Sequence, residues 1–257
     1  MAKIALVPIK GMIVSEKPPL PAVRTISSVE IVQILGQIKK SKGIKALVLE
    51  INSPGGNPFP CQEIADALKS VDKPVVAWVR EVAASGGYWI ASAADSIVAG
   101  NLSIVGSVGV ISIRPDLSEL LGKVGIDMDA MATGVHKLLG LPFKPLTPEE
   151  KMIDRQKREE EIRTIQQSFI AEVMQKRHLT DQVVEDISSG KTYFGQEAKN
   201  LGLVDELGGR EKAFEIAAYK AHITKYKVVD YTKKLEKMRR WPLARLIGWF
   251  ISGLSLK

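Results

Sequence analysis

The sequence EVAASGGYWIASAAD, from Glu81 to Asp95, joins the two kinds of element on which the fold depends. It follows an apolar run from Pro74 to Arg80 that is typical of a buried strand, and it leads into a helix predicted to begin near Gly87. Ser85 lies at the turn between them, with alanines before it and glycines after it. Small residues let backbone approach the hydroxyl closely and leave the following amides facing a bound group. The stretch therefore indicates either a nucleophile beside an oxyanion hole or ordinary tight packing under a sheet.

Strands and helices are predicted to alternate on both sides of this turn. The predicted elements are one or two strands over Lys3–Val14, a helix from Ser27–Ser28 to Gly43, a strand over Lys45–Ser53, a helix through Cys61, Ile64, Ala65 and Leu68, and strands over Ser96–Ala99 and Ser103–Ile113. Such alternation predicts an α/β fold built from βαβ units around a parallel sheet.

A second glycine pair strengthens the functional interpretation. Gly55 and Gly56 follow the Lys45–Ser53 strand, as Gly86 and Gly87 follow the next one. Chemistry in α/β sheets gathers at the carboxyl ends of the strands. Two glycine pairs after consecutive buried strands therefore favour a site there.

The chain becomes mainly helical over residues 146–222. Thr147 is a predicted N-cap, with Pro148 at the first helical position and Glu150 completing a capping box. The helix is expected to reach about Arg177, and its charged stretch 154–163 is expected to be a solvated face. Its expected core-facing residues are Ile153, Ile162, Ile165, Phe169, Ile170, Val173 and Met174. Further helices are predicted over Asp116–Val124, after Thr180, over Gln196–Leu201 and from Arg210, with turns between the last three.

Composition and charge exclude several classes of protein. The 257 residues are 45% hydrophobic and 25% charged, as in ordinary globular proteins. A single cysteine, Cys61, excludes an internal disulfide, and the three histidines are too dispersed to suggest a metal site, so no cofactor is expected. The net charge is +7, and from Thr224 onward nine basic residues outweigh two acidic ones. The excess belongs to the C-terminal tail, so no nucleic-acid partner is predicted for the body.

The tail from Lys233 to Lys257 is basic first and then apolar. It is short for a membrane span, and Arg245 interrupts it. The pattern is typical of a helix at a membrane interface, and it also fits packing on the body or a neighbouring subunit, or disorder. The apolar run Ala5–Val7 is too short for a secretory signal. The expected location is therefore the cytoplasm or the periphery of a membrane.

A serine nucleophile needs a base. No histidine lies between Ser85 and His136, but Lys137 follows a glycine and precedes an apolar run. A lysine held in an apolar site loses the solvation of its ammonium and can act as a neutral base. His136 is the alternative, although neighbours in an extended segment face opposite sides, so only one of the two can face Ser85.

Five ordered segments together resemble one family. They are INSPGG at 51–56, AASGGYWIA at 83–91, GSVGVI at 106–111, GVHKLLGLPFKPLTPEE at 134–150 and KTYFGQEAKNLGLVDELGG at 191–209. In this order they resemble the signal peptide peptidase A (SppA) family of Ser–Lys serine peptidases. The resemblance implies a Clp/crotonase-like ββα superhelical fold with a parallel sheet. Residues 1–222 would form the peptidase domain, in which the mainly helical 146–222 forms oligomers, and residues 223–257 would form a C-terminal extension.

The resemblance also implies roles for individual residues. Ser85 matches the nucleophile, Lys137 the general base and Ser107 a serine that orients that lysine. The amides of Gly56 and Gly86 match the oxyanion hole. The implied enzyme is a homo-oligomer with active sites at subunit interfaces. Its expected substrates are apolar peptides such as cleaved signal peptides.

One departure and two alternatives stand beside this interpretation. The segment after the lysine reads LLGLP at 138–142, where the family has small polar or acidic residues. The change makes the surroundings of Lys137 more apolar or alters the site around it. A crotonase-type acyl-CoA enzyme, which shares glycine turns and oxyanion amides, would not need a serine at position 85. An inactive membrane-associated scaffold would need neither the serine nor the lysine.

Overall fold

The computed structural model describes residues 1–16 and 23–238, which form two compact units. The first unit comprises Met1–Gly109 together with the chain from Phe169 onward, and the second comprises Val110–Ser168. Ser85, Ser107 and both glycine pairs belong to the first unit, and Lys137 belongs to the second.

The elements follow one another in this order along the chain: β1 (Ala2–Lys10), β2 (Met12–Val14), β3 (Thr25–Ser27), α1 (Ser28–Lys40), β4 (Ile44–Ser53), α2 (Pro58–Lys69), β5 (Val75–Ala84), α3 (Gly86–Ser92), β6 (Ser96–Ala99), β7 (Ile104–Gly106), α4 (Ser118–Lys123), a 3₁₀ turn (Val135–Lys137), α5 (Pro148–Arg177), α6 (Asp181–Ile187), β8 (Thr192–Phe194), α7 (Gly195–Asn200), β9 (Glu206–Leu207), α8 (Arg210–Lys220) and β10 (Tyr226–Asp230).

The main sheet of the first unit is parallel apart from one strand. Its strands lie in the order β10-β1-β4-β5-β6-β9, and β7 pairs with the end of β5 beyond β6. The short strand β8 pairs antiparallel with β7. A separate parallel pair, β2 and β3, is joined to the Gly56 loop by a bridge from Ile13. The predicted α/β fold with a parallel sheet is therefore confirmed.

Both faces of the sheet are buried. Helix α8 packs its small and aromatic residues on one face, where the cluster comprises Ile4, Leu6, Ala46, Val48, Val76, Val98, Ala213, Phe214, Ala217 and Ala218. The residues between these along each strand, such as Ala5, Leu47 and Ala77, point to the opposite face and are also fully buried. Helix α2 contacts both α1 and α3, and α3 packs on β4 and β5. This double cover explains the nearly continuous apolar strands.

Two strand predictions were wrong in detail. The strand predicted over Ser103–Ile113 ends at Gly106, because Gly106 and Ser107 both have positive φ, 104° and 52°, and leave the extended conformation. Strands β8 and β9 lie where turns were predicted. Both are two or three residues long and depend on pairing with distant strands.

The predicted helix starts are confirmed by their caps. The Ser27 hydroxyl accepts from the Glu30 amide, and Thr147 and Glu150 exchange hydrogen bonds as a capping box, at 3.2 and 2.9 Å. The pKa of Glu150 is held below its ordinary range, first by the hydrogen bond from Lys144. The core face of α5 is shorter than predicted, since only Phe169 and Val173 of the expected set are buried.

The range predicted as a tail contributes the edge strand β10, which pairs with β1. A helix follows over 232–238, and its Leu235 is buried. The remaining tail residues lie outside the described part of the chain. Among the described residues, no helix is both long enough and apolar enough to cross a bilayer.

Candidate active site

Ser85 and Ser107 follow the ends of two paired parallel strands. Ala84, the last residue of β5, is in register with Gly106, the last residue of β7. The Ser85 amide donates to the Gly106 carbonyl at 2.9 Å. Because the pairing places the two strand ends side by side, the two serines leave the sheet as neighbours. Both are half-buried.

Ser85 has an unusual backbone conformation. Its φ of 51° and ψ of −126° are rare for a residue with a side chain. Its carbonyl accepts from the amides of Tyr88 and Trp89, at 2.8 and 3.0 Å, and so begins helix α3. Non-glycine residues are held in such conformations only when the surrounding structure demands it, and they cluster at functional sites. The strained turn presents the Ser85 side chain at the carboxyl edge of the sheet.

The Ser85 hydroxyl hydrogen-bonds to a backbone carbonyl of its own unit. Its Oγ donates to the Gly109 carbonyl, at a long 3.5 Å. Among the described residues of the first unit, no titratable side chain hydrogen-bonds to this hydroxyl. Lys191 comes near through its backbone, which accepts from the Ser107 amide at 2.8 Å. Its ammonium, however, pairs with Glu197 at 3.2 Å and lies over the Tyr193 ring.

The Gly56 amide points away from its strand neighbour. Ile13 donates to the Gly55 carbonyl at 2.9 Å and accepts from the Asn57 amide at 3.0 Å. The Gly55 carbonyl and the Gly56 N–H belong to one trans peptide group and point in opposite directions, so the Gly56 N–H is directed away from Ile13. A Cβ on Gly56 would lie 2.0 Å from the Ile13 oxygen, so only glycine fits.

The Gly86 amide lies close to the same place. Gly86 is the first residue of α3, where an amide has no acceptor within the helix. A Cβ on Gly86 would lie 3.5 Å from the Gly56 nitrogen, and one on Gly55 would lie 2.8 Å from the Gly86 nitrogen. Gly55 has φ of 101°, a conformation that glycine adopts freely. The two glycine loops therefore meet beside Ser85, with two backbone donors close together.

The structure thus brings together four of the five predicted site residues: Ser85, Ser107, Gly56 and Gly86. The fifth, Lys137, lies in the second unit at the end of the 3₁₀ turn, where its amide donates to the Gly134 carbonyl at 3.0 Å. Its side chain is exposed, as is that of His136.

Helix α3 is held from behind by the contacts of Tyr88 and Trp89. The Trp89 ring stacks on Phe169, with centroids 4.7 Å apart, and its Nε1 donates to Glu172 at 3.0 Å. Glu172 also accepts from Lys69 at 2.6 Å. The buried Tyr88 donates to the Leu203 carbonyl at 2.9 Å, and burial raises its pKa. Tyr88 and Trp89 are therefore core residues behind the serine turn.

Cys61 lies in a helix, as predicted, but its neighbour in the fold was not predicted. It belongs to α2, is fully buried and lies directly against Gly86. Burial raises the pKa of its thiol to about 12. The only sequence signal was its apolar helical spacing with Ile64, Ala65 and Leu68, which predicts burial but not the neighbour.

The second unit exposes many apolar side chains. Helix α4 has no buried residue. The exposed apolar residues of this unit include Ile111, Ile113, Leu117, Leu120, Val124, Ile126, Met128, Met131, Leu141, Phe143 and Met152.

Comparison with known proteins relates this chain to peptidases. Residues 67–224 match the model of Peptidase family S49, and residues 21–99 match that of Clp protease. The chain is 33% identical over 225 residues to the chloroplastic serine protease SPPA of Arabidopsis thaliana. This alignment covers 86% of this chain and 33% of that protein. It is 31% identical over 214 residues to Protease 4 of Haemophilus influenzae, with coverages of 82% and 34%. The chain spans about one third of the length of these two relatives.

A solved structure shows the same architecture. The 1510-N membrane-bound stomatin-specific protease, determined as a lysine-to-alanine mutant in complex with a substrate peptide, aligns with a TM-score of 0.55 at 15% identity. The alignment covers 89% of this chain and 91% of that one. The predicted Clp-protease-like fold is confirmed.

Proposed function

Because this chain belongs to peptidase family S49, we propose that it is a serine peptidase in which Ser85 is the nucleophile and Lys137 the general base. The observation that carries the proposal is the strained Ser85 turn beside the amides of Gly56 and Gly86. A hydroxyl next to two convergent backbone donors suits acyl transfer, because the donors stabilise the negative charge that develops on the carbonyl oxygen.

The proposed reaction has two halves. Lys137 takes the proton from the Ser85 hydroxyl while Oγ attacks the carbonyl carbon of the scissile peptide bond. The Gly56 and Gly86 amides donate to the resulting oxyanion, and Lys137 passes its proton to the leaving amine as the C–N bond breaks. In the second half, water gives a proton to Lys137 and attacks the acyl-enzyme, which releases the carboxylic acid and returns the proton to Ser85.

The base requires that Lys137 be removed from water. A lysine becomes a neutral base when burial disfavours its ammonium form. The Lys137 side chain is exposed in the single chain. We therefore propose that a neighbouring subunit covers it, and that Ser107 orients it there. The exposed apolar surface of the second unit supports a homo-oligomer, since association would bury it.

The proposed substrates are peptides with apolar side chains, such as cleaved signal peptides. The relatives named SPPA and Protease 4 support a peptidase role, and an apolar peptide would come from a membrane. The sequence of the tail, basic and then apolar, supports recruitment to the membrane surface.

The dyad is tested with a fluorogenic apolar peptide and three proteins: wild type, Ser85→Ala and Lys137→Ala. We expect each variant to lose at least about 1,000-fold in kcat, because removing a nucleophile or its base removes the covalent route. Lys123→Ala, another lysine of the second unit, is the matched control and should keep its activity. Full activity of Ser85→Ala would contradict the proposal and favour an acyl-CoA enzyme. A wild type that assembles but cleaves nothing would favour a scaffold.

Membrane recruitment is tested by flotation with liposomes that contain anionic lipid. We expect the full chain to float and a variant truncated after Arg240 to stay at the bottom, because the truncation removes the apolar half of the tail. Equal flotation of both proteins, or of neither, would rule out this role for the tail.

A further inference from the structure

The single cysteine occupies the space directly behind the two glycine loops. Cys61 lies in the first turns of α2, five residues after Gly56, and none of its surface is exposed. A Cβ built on Gly86 would lie 2.2 Å from the Cys61 sulfur and 3.1 Å from its Cβ. The sulfur is therefore in direct contact with Gly86.

The same position is close to the other loop. The Cβ built on Gly86 would lie 3.5 Å from the Gly56 nitrogen. The Cys61 sulfur, the Gly86 backbone and the Gly56 amide thus meet in one small volume. The opposite sides of the two loops are also closed, since a Cβ on Gly56 would meet the Ile13 oxygen at 2.0 Å and one on Gly87 would meet the Ser53 oxygen at 2.8 Å. Each glycine loop therefore contacts a neighbouring backbone segment on one side, and Cys61 fills the space behind Gly86.

We propose that Cys61 is a positioning residue for the oxyanion hole: its sulfur sets how closely the Gly86 amide approaches the Gly56 amide. This inference rests on the proposed peptidase activity. Oxyanion donors act at about 2.7–3.1 Å from the position of the charged oxygen, so a small displacement of one amide weakens its effect in the transition state. A sulfur suits the position because this single atom is large and polarisable.

The thiol acts through its size and not through its reactivity. It is sealed from solvent on α2, and burial raises its pKa to about 12. The thiol is therefore protonated under physiological conditions and does not compete with Ser85 as a nucleophile. Replacement by alanine removes the atom that touches Gly86 and leaves a void, into which the loop can relax.

The first part of the test separates positioning from folding. Cys61→Ala is compared with Ile64→Val, which removes one carbon from a fully buried residue of the same helix. For Cys61→Ala we expect kcat to fall about tenfold with KM within about twofold, because the oxyanion forms only in the transition state. Inhibition by a peptide aldehyde, whose adduct with Ser85 presents an oxyanion, should weaken by a similar factor. Ile64→Val should lower the melting temperature and leave kcat unchanged.

The second part tests the contact itself. Gly86→Ala places a methyl group against the sulfur, and we expect kcat to fall about 100-fold or more, as when an oxyanion donor is lost. Adding Cys61→Ala to Gly86→Ala removes the 2.2 Å clash and leaves the 3.1 Å contact. The double variant should therefore be about tenfold more active than Gly86→Ala alone, whereas adding Ile64→Val should give no recovery. If Cys61→Ala folds poorly, Cys61→Ser, which keeps an atom at the γ position, should retain more activity than alanine in the folded fraction.

Three outcomes decide the matter. Equal kcat for Cys61→Ala and Ile64→Val would overturn the positioning role. The same conclusion would follow if Gly86→Ala lowered kcat equally with and without Cys61→Ala. If the wild type cleaves the peptide no faster than Ser85→Ala, the proposed peptidase activity itself fails, and the positioning role falls with it.

Discussion

At the scale of the residue, the candidate site combines one strained serine with glycines whose neighbours leave no room for a side chain. Ser85 is a non-glycine residue at φ of 51°, Gly55 has φ of 101°, and Gly56 touches the Ile13 backbone. The Ser85 conformation is costly for a residue with a side chain and persists because the surrounding structure imposes it, whereas the Gly55 conformation and the close approach at Gly56 require glycine. The surrounding structure holds the Gly56 and Gly86 amides close together, as the proposed stabilisation of an oxyanion requires.

Burial of the Cys61 thiol makes the free energy of unfolding depend on pH, and the sign of this dependence follows from the raised pKa. The pKa of the thiol is about 12 in the folded protein and about 8.5 in an unfolded chain. The folded state therefore keeps a proton that the unfolded state releases. The contribution of the thiol to the free energy of unfolding is fully present below about pH 8.5 and is lost as the pH rises toward 12, by about 1.4 kcal/mol per pH unit.

We therefore expect the stability difference between wild type and Cys61→Ala to shrink by about 2 kcal/mol between pH 8 and pH 10. Urea unfolding of both proteins at the two pH values measures this directly, and other titrating groups cancel in the comparison. A difference that stays constant or grows with pH would show that the thiol is not buried as described.

At the scale of the element, helix α3 is placed by its contacts with α5 and α2. Trp89 stacks on Phe169, and Glu172 joins Trp89 to Lys69 of α2. The C-terminal end of α5 is anchored as well, because Arg177 donates to Asp205 at 2.7 and 2.9 Å and to the Gly202 carbonyl. These contacts fix the helix that begins with the Gly86 amide.

We expect Glu172→Ala to lower the free energy of unfolding by about 1–3 kcal/mol, because it leaves the buried Trp89 N–H without an acceptor. Glu172→Gln keeps an acceptor oxygen and should cost less. Chemical denaturation provides the measurement. Glu159→Ala, on an exposed turn of the same helix where it pairs with Arg155, is the control and should change stability by less than about 1 kcal/mol. Similar losses for Glu172→Ala and Glu159→Ala would contradict the anchoring role.

At the scale of the whole molecule, two features lead us to expect an oligomer whose subunits share each active site. They are the exposed apolar surface of the second unit and the exposure of Lys137. A monomer with side chains such as Ile111, Ile113 and Met131 at 82%, 84% and 94% exposure would leave large apolar residues in water. If assembly covers this surface and completes the site, each active site draws residues from two subunits.

Subunit complementation tests that expectation. We expect Ser85→Ala and Lys137→Ala to be inactive alone. Co-expressed and co-purified, they should recover about a quarter of the wild-type rate, because about one interface in four then pairs an intact serine with an intact lysine. Mixed oligomers without activity would place both residues in one subunit. A wild type that sediments at its monomer mass of 28.1 kDa would exclude the shared site altogether.

Much of the fold could be predicted because it depends on local pattern. The apolar runs before Ser53 and Ser85 and the caps at Ser27 and Thr147 were sufficient to place β4, β5, α1 and α5. Strands β8 and β9 could not be predicted, since a two- or three-residue strand has no periodicity of its own and exists through its pairing partner. The early end of β7 depends on the turn that aligns Ser107 with Ser85.

The candidate site divides in the same way. The sequence alone determined that Ser85 follows a buried strand and lies among small residues, and that glycine pairs follow two consecutive strands. It could do so because strand ends and turns depend on residues that are adjacent in sequence. Only the tertiary structure decided that Cys61 lies against Gly86, that Glu172 holds Trp89, and that Lys137 is exposed in a separate unit. These relations join residues that are distant along the chain, and packing alone establishes which of them meet.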